Sequence, residues 1–185
     1  DYAAEIAQIR DSGADSVFFF LPGGMGISFM KQYAQSGVNI PVLGPGFSFS
    51  QDVLPAVGDA ALGVKNSSSW SKDLDNEANK KFVEAFQAEY NRLPSLYAAQ
   101  SWDTANLIVS ALSKASVKDK DAFRAALKAA DFASVRGSFK FNNNNHPIQD
   151  IYVREVVKEG DVLTNKIIAT AFEQHGDAYA SECKM

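Results

Sequence analysis

Two glycine-bearing turns hold most of the chemistry open to this sequence. Pro22-Gly23-Gly24-Met25-Gly26 follows the apolar run Val17–Leu21 and precedes Met25, Phe29, Met30 and Tyr33 at helical spacing. Backbone N–H groups at a helix start have no partner within the helix and stand open to a ligand. The turn lacks the Lys-Ser/Thr of a Walker loop, and its glycines do not follow Gly-x-Gly-x-x-Gly. Gly44-Pro45-Gly46 ends the next apolar run, Ile40–Leu43, and Phe47-Ser48-Phe49-Ser50 follows it. Alternation sends one residue of each pair away from the core, so Phe47 or Phe49 is expected to meet a ligand. Two such turns at neighbouring strand ends line one rim, and ligands of open α/β sheets bind at that edge.

Catalytic and metal chemistry find little support. Cys183 has no evident partner, and no Gly-x-Ser-x-Gly elbow exists. His146 and His175 are the two histidines, and His146 reads as a turn residue between four asparagines and Pro147. Asp73, Asp75 and Glu77 cluster ahead of a helix, where carboxylates cap and complement the helix dipole. They fall short of the oxygen-rich loop that calcium needs. A single cysteine excludes an internal disulfide framework and a cysteine-rich zinc site.

The 185 residues carry 18 Lys and Arg against 22 Asp and Glu, a net charge of −4, which argues against nucleic acid as a partner. Apolar residues make up 46% and charged residues 22%, the profile of a globular chain with a core. No apolar run approaches the ~20 residues of a membrane span. The chain opens at Asp1 without a basic-then-apolar leader, as expected of a mature product or a piece of something longer.

The elements that position the rim follow from periodicity. A helix is expected over 2–10, capped by Asp1 and ended by Gly13, then a strand over 16–21 with Phe18-Phe19-Phe20 in the core. A helix over 25–35, a strand over 40–43, a short helix over 51–57 and a strand over 62–66 come next. Helices are expected over 79–90, 97–112 and 119–130, with Asp119 or Asp121 in the first turn of the last. Residues 134–141 alternate with period two and read as a strand. A hairpin is expected over 150–157 and 162–170 around Lys158-Glu159-Gly160-Asp161. The order is α/β, then helical, then β, without internal repeats, and it suggests two lobes with the chain crossing between them.

An ordered set of segments makes the chain recognisable. Trp70-Ser71-Lys72-Asp73-Leu74-Asp75-Asn76, Ala78-Asn79-Lys80-Lys81-Phe82-Val83, Tyr90 through Pro94-Ser95, Tyr97-Ala98-Ala99 and Trp102-Asp103 resemble substrate-binding proteins of ABC importers. The similar group is the branched-chain amino-acid-binding (Leu/Ile/Val-binding) type. Glu5 through Arg10, Gly13-Ala14-Asp15, Phe20 through Gly24 and Gly44-Pro45-Gly46 are similar in the same order. The resemblance implies a type I periplasmic-binding fold with Rossmann-like lobes, of which this chain is the C-terminal half. It places residues 1–69 in the second lobe, 70–146 in returning parts of the first, and 147–185 back in the second.

By that resemblance the protein is no enzyme and needs no cofactor. It captures a small ligand in the cleft between lobes and delivers it to an ABC permease from the periplasm, or from a lipid anchor outside the cell. The implied ligand residues are Leu21, Pro22, Gly23, Gly46, Phe47, Ser48 and Tyr97. Amino-acid binders of the family carry a Glu in the Gly-Pro-x turn against the ligand's ammonium, and that place here reads as Gly46. An unpaired ammonium in a cleft is costly, so an aromatic carboxylate is favoured over an aliphatic carboxylate or a branched-chain amino acid. A ligand-sensing domain of a receptor or regulator is the alternative, and a flavodoxin-like enzyme a third reading. Residues 70–146 would lack most of their sheet, so their apolar faces call for the N-terminal half of the same protein or a second copy.

Overall fold

The computed structural model describes residues 1–184. They form two compact units, Asp1–Ser68 with Val153–Ala169, and Ser69–Tyr152 with the segment from Thr170.

The first unit begins with α1 (Ala3–Asp11), β1 (Val17–Phe18), α2 (Gly23–Gln35) and β2 (Val42–Pro45). A single 3₁₀ turn, Gly46–Phe49, leads to α3 (Leu54–Val57), a second 3₁₀ turn and β3 (Lys65–Ser68). β1 and β2 pair in parallel with Val17 opposite Val42, and β2 and β3 pair in parallel with Gly44 opposite Asn66. Parallel neighbours need helical crossovers, which α2 and α3 provide. The Asp1 carboxylate accepts from the Ala3 N–H at 3.1 Å at the start of α1. β3 lies beside β5 (Pro147–Glu159), where Val156 exchanges backbone bonds with Gly63 and Val64. β5 in turn pairs with β6 (Val162–His175) across the hairpin at Gly160.

The core of this unit gathers Ile6, Phe19, Phe29, Met30, Tyr33, Val42, Phe49, Leu54 and Val57. Phe19 packs against Phe29 and Phe49 at ring separations of 5.2 and 5.6 Å. Only Phe19 of the Phe18-Phe19-Phe20 run is buried; Phe18 and Phe20 are 68% and 66% exposed. This corrects the expectation of a run buried on both faces. Successive strand residues face opposite sides, and only the Phe19 side is covered here.

In the second unit α4 (Glu77–Tyr90), α5 (Leu96–Lys114) and α6 (Lys120–Lys128) follow one another. Asn76, Ser95 and Asp119 cap them through side-chain oxygens that accept from Asn79, Ala98 and Ala122 N–H groups. The cap of α4 is thus Asn76 rather than a neighbouring carboxylate. Phe82 packs against Trp70 and Trp102. One face of α5 is buried through Ala99, Asp103 and Ala111, while Trp102, Val109 and Leu112 on the other are 41%, 65% and 50% exposed.

The strand expected over 134–141 shrinks to β4 (Lys140–Phe141), antiparallel to the start of β5. Asp103 overrides the alternation. Its buried carboxylate accepts from Ser134 Oγ at 2.6 Å, Val135 N–H at 2.9 Å and Arg136 Nε at 2.8 Å, which holds the chain in a turn.

The hairpin is longer than expected, 13 and 14 residues per strand. The unit boundaries fall inside both strands. Residues 147–152 and those from Thr170 belong to the unit of residues 69–146, and Val153–Ala169 to the unit of residues 1–68. Among the described residues no helix is long and apolar enough to cross a membrane.

Candidate functional site

The two turns singled out in the sequence meet in the first unit. β1 runs into Leu21 and Pro22, whose extended backbone (φ −80°, ψ 150°) delivers the chain to α2. Gly23 takes φ +53°, a left-handed conformation open to glycine at little cost, and the first turn of α2 receives no side-chain cap. Its leading N–H groups are borne on exposed Gly23, Gly24 and Met25. β2 runs into the Gly46–Phe49 turn in the same way through Pro45 (φ −74°, ψ 154°). The buried Ser48 hydroxyl donates to the Leu21 carbonyl at 2.9 Å and joins the two turns.

Side chains in the second turn divide by face. Phe49 is fully buried in the core, whereas Phe47 is half-buried and meets exposed Phe20 edge to face at 5.0 Å. Of the two phenylalanines expected to face a ligand, Phe47 is therefore the one at the rim. Phe20 joins it, a residue the sequence assigned to the core. The period-two alternation of 18, 19 and 20 is the signal that could have found it.

Gly46 stands differently from its sequence reading. It is buried, and a Cβ there would come 2.5 Å from the Ser67 carbonyl oxygen and 3.0 Å from both Arg154 Nη2 and the Ser68 Cβ. The position does not point its missing side chain into open space; it faces the edge of β3. A Glu cannot be added to this backbone without moving β3, so the rim offers aromatic rings and backbone groups at Gly46 rather than a vacated carboxylate position.

Beneath the turn lies a polar network that the sequence reading did not identify. Arg154, Asn66 and Asn165 are 2%, 3% and 4% exposed. Arg154 donates to Asn66 Oδ1 from Nε at 3.0 Å and from Nη2 at 2.7 Å. Asn66 Nδ2 donates to Asn165 Oδ1 at 2.8 Å, and Asn165 Nδ2 donates to the Phe49 carbonyl at 2.7 Å.

Tyr97 belongs to the second unit, exposed in the first turn of α5 one residue beyond Leu96 and two beyond the Ser95 cap. In the same unit exposed His146 lies 3.3 Å from Asp177, whose carboxyl the Tyr179 N–H, then Asn144 and His146, hold below the usual carboxylate range. Among the described residues no group of three metal-ligating side chains is close enough to hold an ion. Cys183 is exposed.

A family model described as a periplasmic binding protein matches residues 1–161. The chain is 34% identical over 187 aligned residues to the Leu/Ile/Val-binding protein homolog 6 of Brucella melitensis, covering 96% of this chain and 47% of that protein. An ABC-transporter solute-binding protein of R. palustris, solved with benzoate, superposes with TM-score 0.88 at 34% identity, covering all of this chain and 50% of that one. Another from Rhodopseudomonas palustris, solved with 3,4-dihydroxybenzoic acid, gives TM-score 0.78 at 32% identity over 96% of this chain and 50% of that one. The chain thus spans about half the length of the relatives it matches.

Proposed function

The chain belongs to the periplasmic binding protein family, with a type I periplasmic-binding fold, and from that premise we propose that the protein captures an aromatic carboxylate for an ABC importer. It works without catalysis, outside the cytoplasmic membrane, and hands its ligand to the permease. The rim of the first unit forms one wall of the ligand site.

The observation that carries this reading is the edge-to-face pair of Phe20 and Phe47 at the strand ends, with Phe20 exposed. A ring inserted there would complete an aromatic cluster, and aromatic pairs prefer such offset or edge-on contacts. Leu21, Pro22 and Gly23 bound the ring's edge, and Ser48 keeps them against the second turn. Two solved neighbours hold benzoate and a dihydroxybenzoate, and the likeness extends over nearly all of this chain. The name of the Brucella relative favours a second reading, a branched-chain amino acid.

Thermal unfolding of the full-length protein with benzoate, 4-hydroxybenzoate, leucine or valine separates the two readings. A ligand bound only by the folded state adds about 2.7 kcal/mol at a hundredfold excess over its dissociation constant. Stabilisation by the benzoates alone is expected. Stabilisation by leucine or valine alone would overturn the proposal in favour of the amino-acid reading.

A further inference from the structure

The Gly46–Phe49 turn is four residues long, and a lone 3₁₀ turn has little stability of its own. Yet it must keep Phe47 aimed at the rim. We propose that Arg154, Asn66 and Asn165 are positioning residues that hold this turn, and with it the Phe47 ring, in ligand-receiving geometry.

The hydrogen bonds of the network all run in one direction, from Arg154 toward the turn. A guanidinium has donors and no acceptor. Asn66 must therefore present Oδ1 to Arg154, which receives bonds from Nε and Nη2 at 3.0 and 2.7 Å. That leaves the Asn66 amide nitrogen to donate, and it meets Asn165 Oδ1 at 2.8 Å. Asn165 then has only its own nitrogen to offer, and this donates to the Phe49 carbonyl at 2.7 Å. Each amide orientation fixes the next, and the chain of bonds ends on the turn. Its other end reaches the same turn, because Arg154 Nη2 also lies 3.5 Å from the Gly46 carbonyl. First and last residues of the turn are thus tied to one buried cation through three strands, with Asn66 on β3, Arg154 on β5 and Asn165 on β6.

Burying three polar side chains here costs desolvation that well-packed aliphatic residues would avoid, while a fully connected network specifies a single arrangement. A network needed only for packing has no reason to converge on the two ends of the turn that carries Phe47. The affinity part of the test rests on the rim being the ligand site; the positional part does not.

The experiment uses the full-length protein with Phe47 replaced by 4-fluorophenylalanine. It compares the parent with Asn165→Leu, which removes the donor to Phe49, and with Val57→Ala, a core change outside the network. The parent and Val57→Ala are expected to give one narrow fluorine resonance and the same benzoate affinity by calorimetry. Asn165→Leu is expected to split or broaden the resonance and to weaken benzoate about tenfold or more. Asn66→Asp keeps an acceptor for Arg154 but loses the donor to Asn165, and should loosen the turn in the same sense should Asn165→Leu fail to fold. An unchanged resonance in the network variants, or an equal change in Val57→Ala, would overturn the proposal. A parent that binds none of the benzoates would overturn the ligand reading alone, since the resonance still decides whether the network holds the turn.

Discussion

The Phe20 and Phe47 rings meet edge to face with centroids 5.0 Å apart, one on the run out of β1 and the other in the turn after β2. Phe20 is 66% exposed, so it contributes little to the core. Phe20→Ala should therefore leave unfolding nearly unchanged. It should weaken benzoate by about 0.5–1.5 kcal/mol, roughly two- to tenfold, and an aliphatic carboxylate of similar size by less. Calorimetry with both ligands checks this. Equal losses would mean that the rim senses apolar area rather than aromatic character.

Gly46 tests whether ligand choice lies in a missing side chain or in the backbone. Because a Cβ there would stand 2.5 Å from the Ser67 carbonyl, Gly46→Ala should destabilise the protein by about 1–3 kcal/mol, as other overpacking changes do. Gly46→Glu should lose at least as much and gain no affinity for leucine. Urea unfolding and leucine titration measure the two effects. A Gly46→Glu variant that folds normally and binds leucine would show that β3 yields easily.

The rim was legible in the sequence because its signals are local. Pro22-Gly23-Gly24 and Gly44-Pro45-Gly46 break apolar runs at strand ends, and those breaks are where the structure puts its two joined turns. The network below them was not legible, because Asn66 and Arg154 lie 88 residues apart and Asn66 and Asn165 lie 99 apart. Arg154 did leave a trace: with Tyr152 and Val156 it occupies the buried positions of β5, where an arginine needs a built partner. The strand expected over 134–141 failed for a related reason. Asp103, more than 30 residues earlier, takes bonds from Ser134, Val135 and Arg136 that a strand would have placed elsewhere.

Asn79 plays the corresponding part in the second unit. It is fully buried; its Oδ1 accepts from the Trp70 indole at 2.7 Å, and its Nδ2 donates to the carbonyls of Ser71, Lys72 and Leu74 at 3.0–3.3 Å. One amide thereby shapes the turn that leads into α4. Asn79→Ala should cost about 2–4 kcal/mol, since several buried groups lose a bond at once. It should also shift the Trp70 emission. Unfolding in urea followed by fluorescence checks both, and a loss below 1 kcal/mol would mean that water replaces the amide.

Tyr152 gives the pH dependence its sign. Burial, then the charge of Asp150 and the hydrogen bond to it, push the Tyr152 hydroxyl up from 10.0 to about 12. The hydroxyl donates to Asp150 Oδ2 at 3.2 Å. The folded state holds this proton more tightly than the unfolded chain does, so the stabilisation is whole below pH 10 and is lost as pH rises from 10 to 12. Ultraviolet titration of the phenolate band, taken as the difference from Tyr152→Phe, should place this tyrosine well above an ordinary one. Asp150→Asn removes the charge but leaves the burial, which is the larger cause. The midpoint should therefore fall and still stay above 10.0. A return to 10.0 in Asp150→Asn would make the carboxylate the dominant influence and reverse the order of causes.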